Sequence, residues 1–173
     1  MSQKAFTLVE LLIVVAIIGI LASSVVVNLS VARTRARDAR RKADLKSVQT
    51  ALEIYVEEKG SYPSTLGMAG CFPGAAGPPF CSEPAVYIPN LAPDYVGSLP
   101  LDPLAGRPSA LAVINEPLCT SAPAGYRYAS DGRDYKLVAH CAIETELDSS
   151  SPFYDAIRPT WALAIGTPGA RSW

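Results

Sequence analysis

Of the 22 residues from Phe6 to Val27, only Thr7, Glu10, Gly19, Ser23 and Ser24 are not Ala, Val, Ile, Leu or Phe. Coiled as a helix rising about 1.5 Å per residue, such a run covers roughly 33 Å, enough for a bilayer core of about 30 Å. A chain of 173 residues has no interior that could surround this helix, so a membrane or other chains must cover it. The length also excludes a large multidomain enzyme and favours one small domain with an appendage.

The residues that break helices are unevenly placed. All 15 prolines follow Gly60, and Gly19 is the only glycine before it, so residues 1–59 read as uninterrupted helix. Charge divides at the same point. Residues 1–60 hold nine Lys/Arg against six Asp/Glu (+3), and residues 61–173 hold six against ten (−4), which sum to the net −1. After the apolar run, Leu45, Val48, Leu52 and Tyr55 recur at spacings of three and four, preceded by a thinner stripe of Ala36, Ala39 and Ala43. That pattern predicts an amphipathic helix over 33–59 able to seat a sheet. The 54 residues from Phe6 to Lys59 would extend about 80 Å as one helix. A small head cannot cover such a rod, so packing in a polymer is expected to.

Glu10 is the one ionisable residue inside the apolar run. Near the start of a span a carboxylate costs on the order of 2–3 kcal/mol at most. It either reaches toward the headgroups and protonates, or awaits a cation from another chain.

The residues Lys4-Ala5-Phe6-Thr7-Leu8-Val9-Glu10-Leu11-Leu12-Ile13-Val14-Val15-Ala16-Ile17-Ile18-Gly19-Ile20-Leu21-Ala22 resemble the type IV prepilin processing signal. The likeness continues to Gly60-Ser61-Tyr62-Pro63, and Leu99-Pro100-Leu101-Asp102-Pro103 is similar to a segment of the major pseudopilin of type II secretion. The resemblance implies that a prepilin peptidase removes residues 1–5 by cutting between Ala5 and Phe6, and that the new Phe6 amine is N-methylated. It also implies that Glu10 serves assembly, the cationic amine of one subunit neutralising Glu10 of a neighbour so that both desolvation costs fall. Two positions depart from the family pattern: Ala5 stands where glycine is usual before the cut, and Val27 where many relatives carry a helix-loosening proline.

A competing reading takes Lys4, Leu11–Ala22 and Ala22-Ser23-Ser24 as an ordinary secretory signal. It predicts a mature chain beginning near Val25 and discards Glu10. Topology signals also conflict. Arg33, Arg35, Arg37, Arg40, Arg41 and Lys42 follow the span and Lys4 alone precedes it, which by the positive-inside bias would hold the second half in the cytoplasm. The pilin resemblance and the cysteines place it outside. The arginine run reads as a solvated helix face. Aromatic residues are not interleaved with it, and nucleic acid is not an expected partner.

Cys71, Cys81, Cys119 and Cys141 all lie in the second half, with no C-x-x-C pair and a single histidine, which argues against zinc. Paired, they allow three connectivities and require an oxidising compartment. Cys71 and Cys81 flank Gly74-Ala75-Ala76-Gly77-Pro78-Pro79, within a 61–110 stretch that carries ten of the prolines and reads as connection. Strand signals fall at 110–114, 126–129 and 135–141, the last two joined by the turn Ser130-Asp131-Gly132-Arg133-Asp134. Outward pairing from that turn brings Cys141 opposite the segment around Pro123, leaving Cys119 within loop reach, so the preferred pairs are Cys71 with Cys81 and Cys119 with Cys141.

His140 sits in an alternating strand and reads as structural rather than as a general base. Asp102, Asp131 and Asp134 carry calcium-type oxygens, and major pseudopilins often hold calcium in a C-terminal loop, but turn and solvation roles are the expectation. No catalytic residue, metal or cofactor is expected.

The fold class expected is pilin-like α+β: a long N-terminal helix, transmembrane in its first half and amphipathic in its second, on a small antiparallel sheet with long Pro/Gly-rich loops. The expected segments are a leader 1–5, a membrane and filament-core helix 6–32, an amphipathic helix 33–59 and an extracytoplasmic head 60–173. The function expected is a structural subunit of a type IV pilus or a type II secretion pseudopilus, in the inner membrane and then in the filament. The expected partners are like subunits, other pilins or pseudopilins, prepilin peptidase, the inner-membrane assembly machinery and membrane lipid. The rival class is a membrane-anchored or secreted binding module or enzyme.

Overall fold

The computed structural model describes residues 7–65, 87–105, 119, 124–145 and 147–173. The expected strand at 110–114 therefore lies outside the described residues. Helix α1 runs from Leu8 to Lys59 and passes Val27 without interruption. It ends where the sequence predicts. Gly60 adopts φ +78°, the left-handed conformation that glycine takes without strain, and its N–H donates to the Val56 carbonyl at 2.8 Å.

The chain divides into two compact units, residues 1–36 and residues 37–173. Among the described residues the first is helix from Leu8 onward. The second, the head, contains the remainder of α1 and a three-stranded antiparallel sheet in the order β1-β2-β3. Strand β1 (Gly125–Ser130) and strand β2 (Tyr135–His140) form the hairpin expected around Gly132, with Ser130 opposite Tyr135. Asp131 shapes the turn, its Oδ1 accepting from the N–H groups of Arg133 (2.9 Å) and Asp134 (2.8 Å).

Strand β3 (Ala162–Gly166), which the sequence reading did not predict, pairs with β2, Leu137 facing Ile165 and Lys136 facing Gly166. Gly166 is required at that place because a Cβ there would collide with the Tyr135 carbonyl oxygen.

Strand alternation sends two sets of side chains to opposite faces. Tyr126, Tyr128, Tyr135, Leu137, Leu163 and Ile165 pack with Leu45, Val48 and Leu52 of α1 in the main core. Val138, Ala162 and Ala164 face the other way, under Trp161 and the Cys119–Cys141 disulfide. All six residues of β2, Lys136 and His140 included, are buried as a result.

Candidate assembly site

In the first unit, the helix start is built by Thr7, Glu10 and Leu11. Thr7 is the N-cap: its carbonyl accepts from the Leu11 N–H (3.3 Å) and its Oγ1 accepts from the Glu10 N–H (3.2 Å). Glu10 answers in return, its Oε2 accepting from the Thr7 N–H (2.9 Å) and from the Thr7 hydroxyl (2.7 Å). This reciprocal exchange is a capping box, which satisfies donors that a helix start otherwise leaves orphaned. The sequence carries the signal, Thr-x-x-Glu ahead of an apolar run, beside the assembly role expected of Glu10. Its carboxylate is hydrogen-bonded without being neutralised, and among the described residues no cation lies within ion-pair range of it.

Beyond the cap the apolar residues are exposed. Leu8 is 79% exposed, Ile13 52% and Val14 47%, on different sides of the helix, and the most apolar stretch has a mean hydropathy of 2.7 with none of it buried. Ser23 hides its hydroxyl by donating to the Ile20 carbonyl at 2.7 Å, the local solution open to a hydroxyl in an apolar helix.

In the head, the start of the covered part of α1 is held by charge. Arg41 is fully buried. Its Nε and Nη2 donate to the two carboxylate oxygens of Asp102 (2.7 and 3.1 Å), and its Nη1 donates to Asp38 Oδ1 (2.7 Å) and Glu144 Oε1 (2.8 Å). Arg37 forks onto Glu144 from the preceding turn. The other oxygen of Asp38 accepts from the Thr145 N–H (2.8 Å) and hydroxyl (2.6 Å). Burial opposes the charge on Glu144, yet the guanidinium groups of Arg37 and Arg41 outweigh it and hold the carboxyl below its usual range. The arginine run is thus not wholly a solvated face, because Arg41 and, in part, Arg37 are drawn into the head. Asp102, expected in a turn or solvation role, is buried as the bidentate partner of Arg41.

Further along α1, tyrosines of the head bond to helix carboxylates. Tyr126 donates to Asp44 (2.7 Å), Tyr62 to Glu53 (3.1 Å) and Tyr95 to Glu58 (2.8 Å). On the far face of the sheet, burial together with the charges of Arg127 and Arg158 pushes His140 down to about 3, so the imidazole is neutral, edge-on to Trp161 with centroids 4.8 Å apart. Asp155 joins Lys136 (3.0 Å) and Arg158 (2.9 Å). Asp102, Asp131 and Asp134 are not gathered around one point, and among the described residues no three metal-type ligands cluster.

Of the residues nominated from sequence, Glu10, Cys119 and Cys141 fall within the described residues, and Ala5, Phe6, Cys71 and Cys81 lie outside them. Cys119 and Cys141 are bonded to each other.

A capped, acid-bearing helix with no cover of its own, joined to a head in which the same helix seats on a small antiparallel sheet, defines a pilin-like filament subunit. Comparison with known proteins agrees. Residues 1–26 match the prokaryotic N-terminal methylation motif. The chain is 35% identical over 106 residues to the type II secretion system core protein G of Klebsiella michiganensis, covering 61% of this chain and 70% of that protein. It is 36% identical over 101 residues to the core protein G of Pectobacterium carotovorum, covering 58% and 62%. To the type IV major pilin protein PilA of Myxococcus xanthus it is 39% identical over 71 residues, covering 41% and 32%. No solved structure matches the chain. The chain belongs to the type IV pilin and type II secretion pseudopilin family, and it is a structural subunit of a pilus or pseudopilus. With that family it shares a prepilin-type N-terminus, an apolar anchoring helix and polymerisation with pilin-like subunits.

Proposed function

We propose that the chain builds a type II secretion pseudopilus rather than an adhesive or motility pilus. The observation that carries this is the reach of the likeness. The alignment with the Klebsiella core protein G runs over 106 residues and takes in 70% of that protein, well beyond the 52 residues of α1, whereas the alignment with the pilin runs over 71 residues and takes in 32% of that protein.

In this reading the segment 1–5 is a leader that prepilin peptidase removes between Ala5 and Phe6, and the Phe6 amine is methylated. Residues 6–32 hold the subunit in the inner membrane, with 60–173 on the extracytoplasmic side, where cysteines can be oxidised. The assembly machinery of that membrane, like subunits and other pseudopilins are the partners, with lipid around the helix until polymerisation. Glu10 is the residue through which entry to the filament is checked. The capping box holds its carboxylate at the helix start, and the cationic amine of a neighbour supplies the charge that Thr7 does not. Neutralising both groups together removes the cost of carrying either into an apolar environment.

Deleting the chain in its host is expected to trap exported enzymes in the periplasm while surface pili persist. Lost pili with intact secretion would overturn the pseudopilus assignment. Mass spectrometry of the mature protein is expected to show N-methylated Phe6, and a start near Val25 would refute the processing.

A further inference from the structure

A stripe of α1 beside its buried seam carries two blocks of opposite charge, Lys46 lying 5.9 Å over the Phe153 ring and Glu53 accepting from the Tyr62 and Tyr135 hydroxyls at the edge of the head. Lys42 and Lys46 are four residues apart, Glu53 and Glu57 are four apart, and seven separate Lys46 from Glu53. At 3.6 residues per turn the four fall within about 60° of one another, roughly a third of a turn from the buried seam of Leu45, Val48 and Leu52. Lys46, Glu53 and Glu57 are exposed and Lys42 is half-buried. Beside them Ala39 and Ala43 are exposed and Ile54 is 51% exposed, so small and apolar groups flank the charges.

Within one chain this arrangement is unfavourable. Like charges four residues apart repel each other on a helix, and Glu57, in the last turn before Lys59, faces the negative end of the helix dipole. The same arrangement is complementary to itself. Displacing a parallel copy by 11 residues, about 16 Å along the axis, sets Lys42 and Lys46 of one copy opposite Glu53 and Glu57 of the other. Copies are parallel because each begins in the same membrane.

We propose that this stripe is a contact between staggered copies of the chain, the basic block of one subunit against the acidic block of the next. The proposal rests on the reading of the chain as a filament subunit and goes beyond it by naming the surface and its register. Opposed charges at such a contact set the register and disfavour in-register pairing, where like would meet like. Ala39 and Ala43 let the two backbones approach closely.

The test is a charge-reversal pair in the full-length chain, expressed with its assembly machinery, with sheared filaments quantified at equal membrane levels of subunit. Lys46→Glu and Glu57→Lys are each expected to lower filament yield about tenfold, and the double variant to return it to within about threefold. Normal yield from either single reversal, or a double variant no better than the singles, overturns the contact. If a reversal lowers subunit level, Lys46→Gln and Glu57→Gln carry the test, and unchanged yield from both overturns it. Absence of filaments from the unsubstituted chain would instead refute the filament reading, and this contact with it.

Discussion

The two units of this molecule handle charge in opposite ways. The apolar helix up to Ala36 carries Glu10, which is hydrogen-bonded by Thr7 and has no cation near it among the described residues. The head gathers five charged groups in one cluster, Arg41, Asp38 and Asp102 buried and Arg37 and Glu144 at its partly exposed edge, and pairs them all. A buried charge left half-answered is costly, and one fully answered within the chain defines geometry without calling for a partner. On the reading proposed above, Glu10 of the first unit is answered by another molecule, whereas this cluster of the head is answered within the chain.

Four measurements can break or sharpen that contrast. The largest effect is expected for Glu10→Ala, which should leave membrane insertion intact and reduce filament yield by at least about tenfold. Normal filaments would show that Glu10 does no more than cap its helix. In the head, Arg41→Ala leaves three carboxylates facing one another around an empty place and is expected to cost about 3–5 kcal/mol of stability. Denaturant unfolding of the full chain in detergent would register this, and a loss under about 1 kcal/mol would mean that water replaces the guanidinium.

Acid should act on the head through His140. Its folded value, about 3, lies below the ordinary 6.5, so between those values the unfolded chain binds a proton that the folded head refuses. Stability then falls as pH drops below about 6.5, by up to about 1.4 kcal/mol per pH unit, and His140→Gln should flatten that slope. Glu144 adds to the loss at lower pH. Held below its ordinary 4.5, it contributes stability above that value that disappears as pH falls through its folded pKa. The smallest effect is expected for Thr7→Ala. Loss of the capping hydroxyl should loosen the first turn of α1 by about 1 kcal/mol, read as faster amide exchange at Glu10 and Leu11, with head stability unchanged.

Features that depend on near neighbours in the chain were legible beforehand. The uncovered helix, its termination at Gly60 and the β1–β2 hairpin around Gly132 each follow from residues a few positions apart. The capping box is equally legible as Thr7-x-x-Glu10. Strand β3 was missed because Ala162-Leu163-Ala164-Ile165-Gly166 is short, apolar on both faces and without alternation, and its partner β2 lies more than 20 residues away.

Sequence by itself determined that this chain has a rod no interior of its own can cover, because hydrophobic length and the placing of glycine and proline are local properties. Only the tertiary structure decided which arginines are solvated and which are structural. Arg40 and Arg41 are adjacent and chemically identical, yet Arg40 remains mostly exposed while Arg41 meets carboxylates 61 and 103 residues further along the chain. That selection is made by the helix face turned toward the sheet and by where Asp102 and Glu144 come to rest, and neither is written in the neighbourhood of the arginine.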